Sequence, residues 1–131
     1  MILGIGIDVV NISRIEDLLK KFDKKFENKI FAKGEIKTAN KLEENKKIKF
    51  YAKRFAAKEA FSKAIGLGIG RGINFIDIEV INDKNGKPDI KLSKSAKLFL
   101  KQHFKKLDCQ INLSLTDDMP IAQAIVIISK K

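Results

Sequence analysis

The segment KKIKFYAKRFAAKEAFSKAIG, Lys46 to Gly66, carries the longest helical pattern in the chain. It is rich in alanine, which has the highest helix propensity, and it ends at a glycine, a common helix terminator. Seven residues share one broad face at helical spacing: Ile48, Ala52, Phe55, Ala56, Glu59, Ala60 and Lys63. The segment therefore predicts a helix from about Lys46 to Ile65. On that face the carboxylate of Glu59 has small neighbours and room for something other than side chains.

The N-terminal stretch ILGIGIDVV, Ile2 to Val10, alternates in the manner of a β-strand. One face holds Leu3, Ile5, Ile7 and Val9, and the other holds Ile2, Gly4, Gly6, Asp8 and Val10. Glycine inside a strand often marks close approach by a ligand or by another backbone. Two interpretations follow: an open space beside Asp8, or a helix packed closely on the glycines.

The remaining elements are weaker but follow a clear order. Ser13 to Glu16 fits a capping box that opens a first helix, and residues 34–44 form a second, weaker helical stretch. Residues 73–81 read as a strand with Ile76, Ile78 and Val80 inward, and Asn85-Gly86 turns it into a hairpin. Ser93 caps a third long helix, and two C-terminal strands meet at a turn over residues 117–120.

This order of strand, helices, hairpin, helix and hairpin predicts the fold class. We expect an α+β fold in a single domain over residues 1–131, with a small, mostly antiparallel sheet and helices packed on one side. The last strand, Ile121 to Ile128, is apolar on both faces. In so small a domain its second face is expected to be buried against another subunit.

The charge balance favours an anionic partner. The chain has 131 residues, with 27 lysines and arginines against 16 acidic residues, a net charge of +11. A basic nucleic-acid-binding module is the alternative function. Against it, Arg14, Arg54 and Arg71 are the only arginines, tryptophan is absent, and tyrosine occurs once.

The composition and the order of the motifs exclude several other classes of protein and of binding site. Cys109 is the only cysteine, so it cannot form an internal disulfide, and His103, the only histidine, is expected at the surface. No stretch resembles a signal peptide or approaches the roughly 20 apolar residues of a membrane span. The glycine-rich loop over residues 66–72 follows a helix, whereas a phosphate-binding P-loop follows a strand. We therefore expect a cytoplasmic protein without a membrane partner.

The residues best suited to chemistry are Asp8 and Glu59. Two carboxylates with space around them suit Mg²⁺, which keeps several waters and takes further ligands from substrate phosphates. Lys63 lies four residues after Glu59, on the same helix face. It either forms an exposed ion pair with Glu59 or acts as a cation that stabilises a transferred phosphoryl group. Arg54 and Lys58, on the adjacent helix face, are either solvated or hold phosphate.

Longer stretches resemble a known family, the small bacterial 4′-phosphopantetheinyl transferases of the holo-[acyl-carrier-protein] synthase type. They are GIGIDVVNISRIE from Gly4, RFAAKEAFSKAIGLGIGRGINFIDIEV from Arg54, NGKP from Asn85, INLSLTDD from Ile111 and AQAIVI from Ala122. The resemblance implies the fold of that family. It also implies Mg²⁺-dependent transfer of 4′-phosphopantetheine from coenzyme A to a serine of apo acyl carrier protein, releasing adenosine 3′,5′-bisphosphate, in support of fatty acid biosynthesis.

The resemblance also assigns roles to residues. It implies Asp8 and Glu59 as metal ligands, with Lys63 beside them as a third catalytic residue. Coenzyme A contacts are implied for Arg54, Lys63, Gly66, Asn85, Lys87 and Thr116. Either Glu59 or a metal-bound water could take the proton of the attacking serine.

The family also implies how the chain assembles. Its members form homotrimers that hold coenzyme A in clefts between protomers. The acidic acyl carrier protein docks on the first helix, which implies a contact at Arg14, with Lys21 and Lys25 extending the basic surface.

One position departs from the family. Asp117 stands where many members have a histidine close to the coenzyme A phosphates. An aspartate beside an anion is unfavourable unless cations surround it or it turns away. Lys46, Lys47 or Lys87 could compensate, and Lys87 in the NGKP turn is the best placed of the three.

Overall fold

The computed structural model describes residues 1–131 as an α+β fold with antiparallel strands, as predicted. The elements are β1 (Ile2–Asn11), α1 (Ile12–Phe22), α2 (Lys24–Ile30), α3 (Lys33–Ala39), α4 (Glu44–Ile65), a 3₁₀ turn (Phe75–Asp77), β2 (Ile78–Asn82), β3 (Pro88–Leu92), α5 (Lys94–His103), β4 (Cys109–Asp118) and β5 (Ile121–Lys130). The strands form two sheets, one in the order β1-β5-β4 and the other the β2-β3 hairpin.

Helix α4 lies at the centre of the fold. It packs on β1 and β5 with one side, while α1, α3 and β2 contact it elsewhere, so most of its residues are buried. The predicted apolar face therefore describes only part of the helix. Its end is as predicted: Gly66 adopts a left-handed conformation with φ of 78°, which a glycine accepts without strain.

The contact between β1 and α4 is unusually close. A Cβ atom added to Gly4 would overlap the carbonyl oxygen of Ala64, and one added to Gly6 would overlap the carbonyl oxygen of Ala60. The backbone of the helix therefore lies directly on the strand. Of the two interpretations of these glycines, close packing of a helix is correct. Asp8, two residues further along the same face of β1, is carried to the same helix.

Two predicted boundaries are wrong. Helix α1 starts at Ile12 without a side-chain cap, because β1 runs straight into it and the Ile12 N–H donates to Pro120 O at 2.9 Å. The strand predicted over 73–81 begins only at Ile78. Before it, the Asn74 N–H donates to Asp77 Oδ2 at 2.9 Å in a capped 3₁₀ turn, and this turn leaves Ile76 52% exposed instead of inward.

Other local predictions hold. The β2–β3 pair is a hairpin, in which the Asp83 carboxylate accepts the N–H groups of Asn85 and Lys87 at 2.8 and 2.9 Å. Ser93 Oγ accepts the Ala96 N–H at 3.2 Å, as expected of an N-cap. The weak second helix is the exception: it was predicted over 34–44 but spans only Lys33–Ala39.

The three-stranded sheet is covered on one face only. Its inner face carries Ala122, Ala124, Val126 and Ile128 of β5 against the helices. On the outer face Ile5, Ile7, Val9 and Ile125 are exposed, and Ile7 retains 49% of its accessible surface. The second apolar face of the last strand therefore has no cover within the chain.

The remaining expectations concern single residues and the membrane. His103 is exposed, as predicted, although its Nε2 lies 2.8 Å from Ile65 O. Cys109 is a free, half-buried thiol, and burial raises its pKa. None of the helices combines the length and apolar character needed to cross a bilayer.

We expect Gly6→Ala to lower the free energy of unfolding by about 3 kcal/mol, because the methyl group forces β1 away from α4. Urea unfolding measures the loss. Gly68→Ala is the matched control, since no atom lies within 4 Å of a Cβ at that position. Equal losses in the two variants would contradict the close packing described for Gly6.

Candidate active site

Asp8 and Lys63 meet across the interface between β1 and α4. Lys63 Nζ lies 3.1 Å from Asp8 Oδ1 and donates to Ile7 O at 3.1 Å. The ion pair of Lys63 is thus with Asp8 on the strand, instead of with Glu59 four residues earlier on its own helix. The Lys63 side chain remains 54% exposed, so this ammonium group is accessible from solvent.

Glu59 lies one turn before Lys63 and is electrostatically coupled to Asp8. Burial raises the pKa of Glu59, and the negative charge of Asp8 raises it further, while Lys63 and Arg14 act in the opposite direction. Two carboxylates from different elements therefore share one small region. Their mutual repulsion is the condition under which a bound cation is stabilising.

The donor set fits Mg²⁺ better than a transition metal. Asp8 and Glu59 supply hard oxygen atoms, and no group of three or more acidic, histidine or cysteine side chains is present. A closed all-protein zinc site needs about four ligands. Two carboxylates suit an ion that fills its remaining positions with water and substrate phosphate.

Glu59 opens into a cleft with two walls. One wall is the end of α2, with Asn28 and Lys29, and the other is the segment that contains the 3₁₀ turn; this second wall is lined by Ile69, Gly70, Asn74, Phe75 and Ile76. Only Glu59 among these residues was identified from the sequence. The Asn-x-x-Asp pattern of the turn was the available signal, but nothing local places α2 opposite it.

A basic surface lies beside the site on α1 and α2. Arg14 is exposed, its guanidinium is 5.6 Å from the centre of the Phe55 ring, and its charge acts on Glu59. Lys21 and Lys25 are exposed on the same two helices, and Lys21 Nζ lies over the ring of Phe22. The three predicted partner-binding residues are therefore all accessible.

A second group of predicted residues lies at the hairpin. Arg54 is buried, with its guanidinium 3.5 Å from the centre of the Phe50 ring, and Nη2 donates to Asn82 Oδ1 at 3.0 Å. Asn82 in turn donates to Gly86 O, between Asn85 and Lys87. Burial lowers the pKa of Arg54 to about 10, and its Nε has no partner. Arg54 is thus linked to the hairpin turn and contacts neither Asp8 nor Glu59.

The last two predicted contacts lie elsewhere. Gly66 follows Lys63 at the exposed end of α4 and its N–H donates to Lys63 O at 3.1 Å. Thr116 lies on the exposed outer face of the sheet, opposite Gln123. Within the chain, the predicted coenzyme A contacts therefore divide between the Asp8 site, the hairpin and the outer sheet face.

The expectation for Lys58 is wrong, and Asp117 has a counter-charge that the sequence did not identify. Lys58 neither faces solvent nor is free to hold phosphate, because its ammonium is fully buried and bonded to Ile30 O, Glu35 and Phe75 O. Asp117 faces the helices and pairs with Lys53 Nζ at 3.3 Å. Its counter-charge therefore comes from α4 and not from Lys46, Lys47 or Lys87.

Comparison with known proteins gives a consistent result. Residues 4–124 match the family described as the 4′-phosphopantetheinyl transferase superfamily. Holo-[acyl-carrier-protein] synthase of Pelagibacter ubique is 47% identical, covering 99% of this chain and 98% of that protein. Its counterpart from Orientia tsutsugamushi is 43% identical, with 98% of both chains covered.

Solved structures agree in fold as well as in sequence. The crystal structure of holo-[acyl-carrier-protein] synthase from Neisseria meningitidis is 34% identical, with a TM-score of 0.90, covering 99% of this chain and all of that one. The Bacillus anthracis holo-(acyl-carrier-protein) synthase, in complex with CoA (3′,5′-ADP), is 37% identical, with a TM-score of 0.83. The match covers 100% of this chain and 99% of that one.

The coupling of the carboxylates predicts opposite shifts in two variants. In Asp8→Asn the pKa of Glu59 should fall, because the negative charge that raises it is gone; in Lys63→Met it should rise, because an opposing cation is lost. A pH titration of the Glu59 carboxyl carbon by NMR measures both shifts, and Asp108→Asn, just before β4, is the control. A Glu59 pKa that rises or stays constant in Asp8→Asn would contradict the shared site.

Proposed function

The chain belongs to the 4′-phosphopantetheinyl transferase superfamily, and on this premise we propose that it is a holo-[acyl-carrier-protein] synthase. It transfers 4′-phosphopantetheine from coenzyme A to a serine of apo acyl carrier protein and releases adenosine 3′,5′-bisphosphate. The observation that carries the proposal is the meeting of Asp8, Glu59 and Lys63 in a chain similar to these synthases over its whole length.

The carboxylates give the site its chemistry. Asp8 and Glu59 would hold Mg²⁺, which when bound supplies positive charge to the pyrophosphate of coenzyme A. The serine Oγ–phosphorus bond forms at the β-phosphorus as the bond to the adenosine bisphosphate oxygen breaks. The serine proton passes to Glu59 or to a water hydrogen-bonded to it.

Lys63 acts on the phosphate groups. Its ammonium is exposed, so it can turn from Asp8 towards a substrate oxygen without disturbing the core. There it stabilises the charge that develops on the leaving phosphate. Gly66, at the helix end next to it, leaves room for the cosubstrate to approach.

The other coenzyme A contacts support a homotrimer with shared sites. Arg54 and Lys87 carry positive charge at the hairpin next to Asn85, and Thr116 lies on the outer sheet face. A cleft between protomers brings the hairpin region of one chain to the Asp8 site of another. The exposed apolar side chains of that outer face, Ile5, Ile7, Val9 and Ile125, supply the surface that such an assembly buries.

The acyl carrier protein docks on α1 and α2 in this proposal. Arg14, Lys21 and Lys25 attract an acidic partner, and Phe22, 45% exposed, adds an apolar contact among them. Arg14 connects this surface to the catalytic site through its charge on Glu59. A carrier protein bound here presents its serine close to Glu59.

The wider role follows from the reaction. We propose a single domain over residues 1–131, because its buried apolar residues form one cluster, and a place in fatty acid biosynthesis in the cytoplasm. The nucleic-acid alternative has no structural support. Tyr51 is buried, Arg54 is buried, and Arg14 lies over Phe55, so neither a stacking platform nor a row of free arginines is present.

The transfer itself is the first test. With Mg²⁺ and coenzyme A, apo acyl carrier protein should gain the mass of the pantetheine arm, and a chelator should abolish the gain. Asp8→Asn and Glu59→Gln should each reduce kcat/KM by about 100-fold or more, because each removes a ligand of the ion. Asp118→Asn is the control, and normal activity of the two site variants at limiting Mg²⁺ would disprove the metal assignment.

The docking surface is tested by reversing charge away from the chemistry. Lys21→Glu/Lys25→Glu should raise the KM for acyl carrier protein about tenfold and leave the KM for coenzyme A unchanged, because only the protein partner meets these helices. Steady-state kinetics at low salt measure both constants, with Lys97→Glu on α5 as control. An equal rise in both constants would rule out this docking surface.

A further inference from the structure

Lys58 is adjacent in sequence to Glu59 but faces the interior. Its side chain is fully buried, and its Nζ lies 2.8 Å from Ile30 O, 2.6 Å from Glu35 Oε1 and 3.1 Å from Phe75 O. An ammonium group has three donors. Each donor of Lys58 therefore has one acceptor, and the three acceptors belong to three different segments of the chain.

Stability alone does not account for this arrangement. Taking an ammonium and a carboxylate out of water costs several kcal/mol per ion, and apolar residues of similar size often serve as well. What an apolar residue cannot do is bond two carbonyl groups and a carboxylate at fixed positions. The buried ammonium therefore fixes the positions of its three acceptors relative to one another.

The two carbonyl groups lie behind the two walls of the Glu59 cleft. Ile30 directly follows Asn28 and Lys29, which form the α2 wall, and Phe75 lies between Asn74 and Ile76 in the other wall. One ammonium group thus bonds both walls from behind, while the next residue, Glu59, opens between them.

We propose that Lys58 is a positioning residue, which holds the two walls of the catalytic cleft at a fixed separation around Glu59. The inference rests on the proposed function, because the cleft matters only if substrate enters it. Glu35 completes the arrangement, since it also accepts the N–H groups of Ala32 at 2.9 Å and Val80 at 3.0 Å. The walls are thereby tied to α3 and to β2 as well.

The test separates positioning from stability. Lys58→Met alone leaves the Glu35 carboxylate buried without its counter-charge and is expected to unfold readily. Lys58→Met/Glu35→Gln removes both charges and keeps an acceptor at position 35. Because the carbonyl groups of Ile30 and Phe75 lose their donor, we expect this variant to melt about as far below the parent as Leu100→Ala does. Its kcat/KM for transfer should nevertheless fall about tenfold or more, as small misplacements of catalytic groups cause.

Controls and a second readout decide the result. Leu100→Ala, in α5, is the control for lost stability. An equal loss of activity in Leu100→Ala and in the double variant would overturn the proposal. Parental activity in the double variant would overturn it too. Hydrogen exchange without substrate should quicken in residues 28–31 and 74–77 but not in β1 and β5. Unchanged exchange in both walls would also overturn it.

Two further outcomes are distinguishable. If the parent transfers no pantetheine arm, the proposed function fails. Hydrogen exchange then still tests whether Lys58 holds the two walls in place. If the methionine variant does not fold, Lys58→Gln/Glu35→Gln replaces it. A neutral amide can donate to only two of the three acceptors, so the same loss of kcat/KM and the same faster exchange are expected.

Discussion

The close approach of β1 to α4 is the constraint on which the site depends. Gly4 and Gly6 let the carbonyl oxygens of Ala64 and Ala60 lie where a side chain would otherwise stand. This contact fixes the distance between the helix and the strand. Asp8 then lies within 3.1 Å of Lys63, and its charge acts on Glu59. A larger residue at Gly6 would separate the two carboxylates that the proposed reaction needs together.

The charged residues divide into groups with different tasks. Lys58 and Glu35 form a buried ion pair, to which we assign the positioning of the cleft walls. Arg14, Lys21 and Lys25 are exposed on α1 and α2, where we propose that the carrier protein docks, whereas Arg54 is linked to the hairpin turn through Asn82. The net charge of +11 is thus not one patch. In the proposed function, one region of this charge attracts a phosphate-bearing cosubstrate and another attracts an acidic protein.

The fold, and Asp8, Glu59 and Lys63 as candidate site residues, were predictable because their signals are local or lie in motifs. The period of α4, the glycine at its end, the Ser93 cap and the Asn85-Gly86 turn each depend on neighbours in sequence. The capping box at Ser13 failed because β1 continues directly into α1. Lys58 and Arg54 were expected on an exposed face, and the pairing of Asp117 with Lys53 was missed. The errors at Lys58, Arg54 and Asp117 share a cause: burial and pairing on α4 depend on segments distant in sequence, which no local pattern places there.

A crystal structure with coenzyme A and Mn²⁺ in place of Mg²⁺ tests the central claim most directly. Anomalous scattering locates the ion independently of the protein atoms. The account predicts one peak between the carboxylates of Asp8 and Glu59, in contact with the pyrophosphate, in a cleft that Arg54 and Lys87 of a neighbouring protomer help to form. A peak bound elsewhere, or coenzyme A bound away from Asp8 and Glu59, would contradict it.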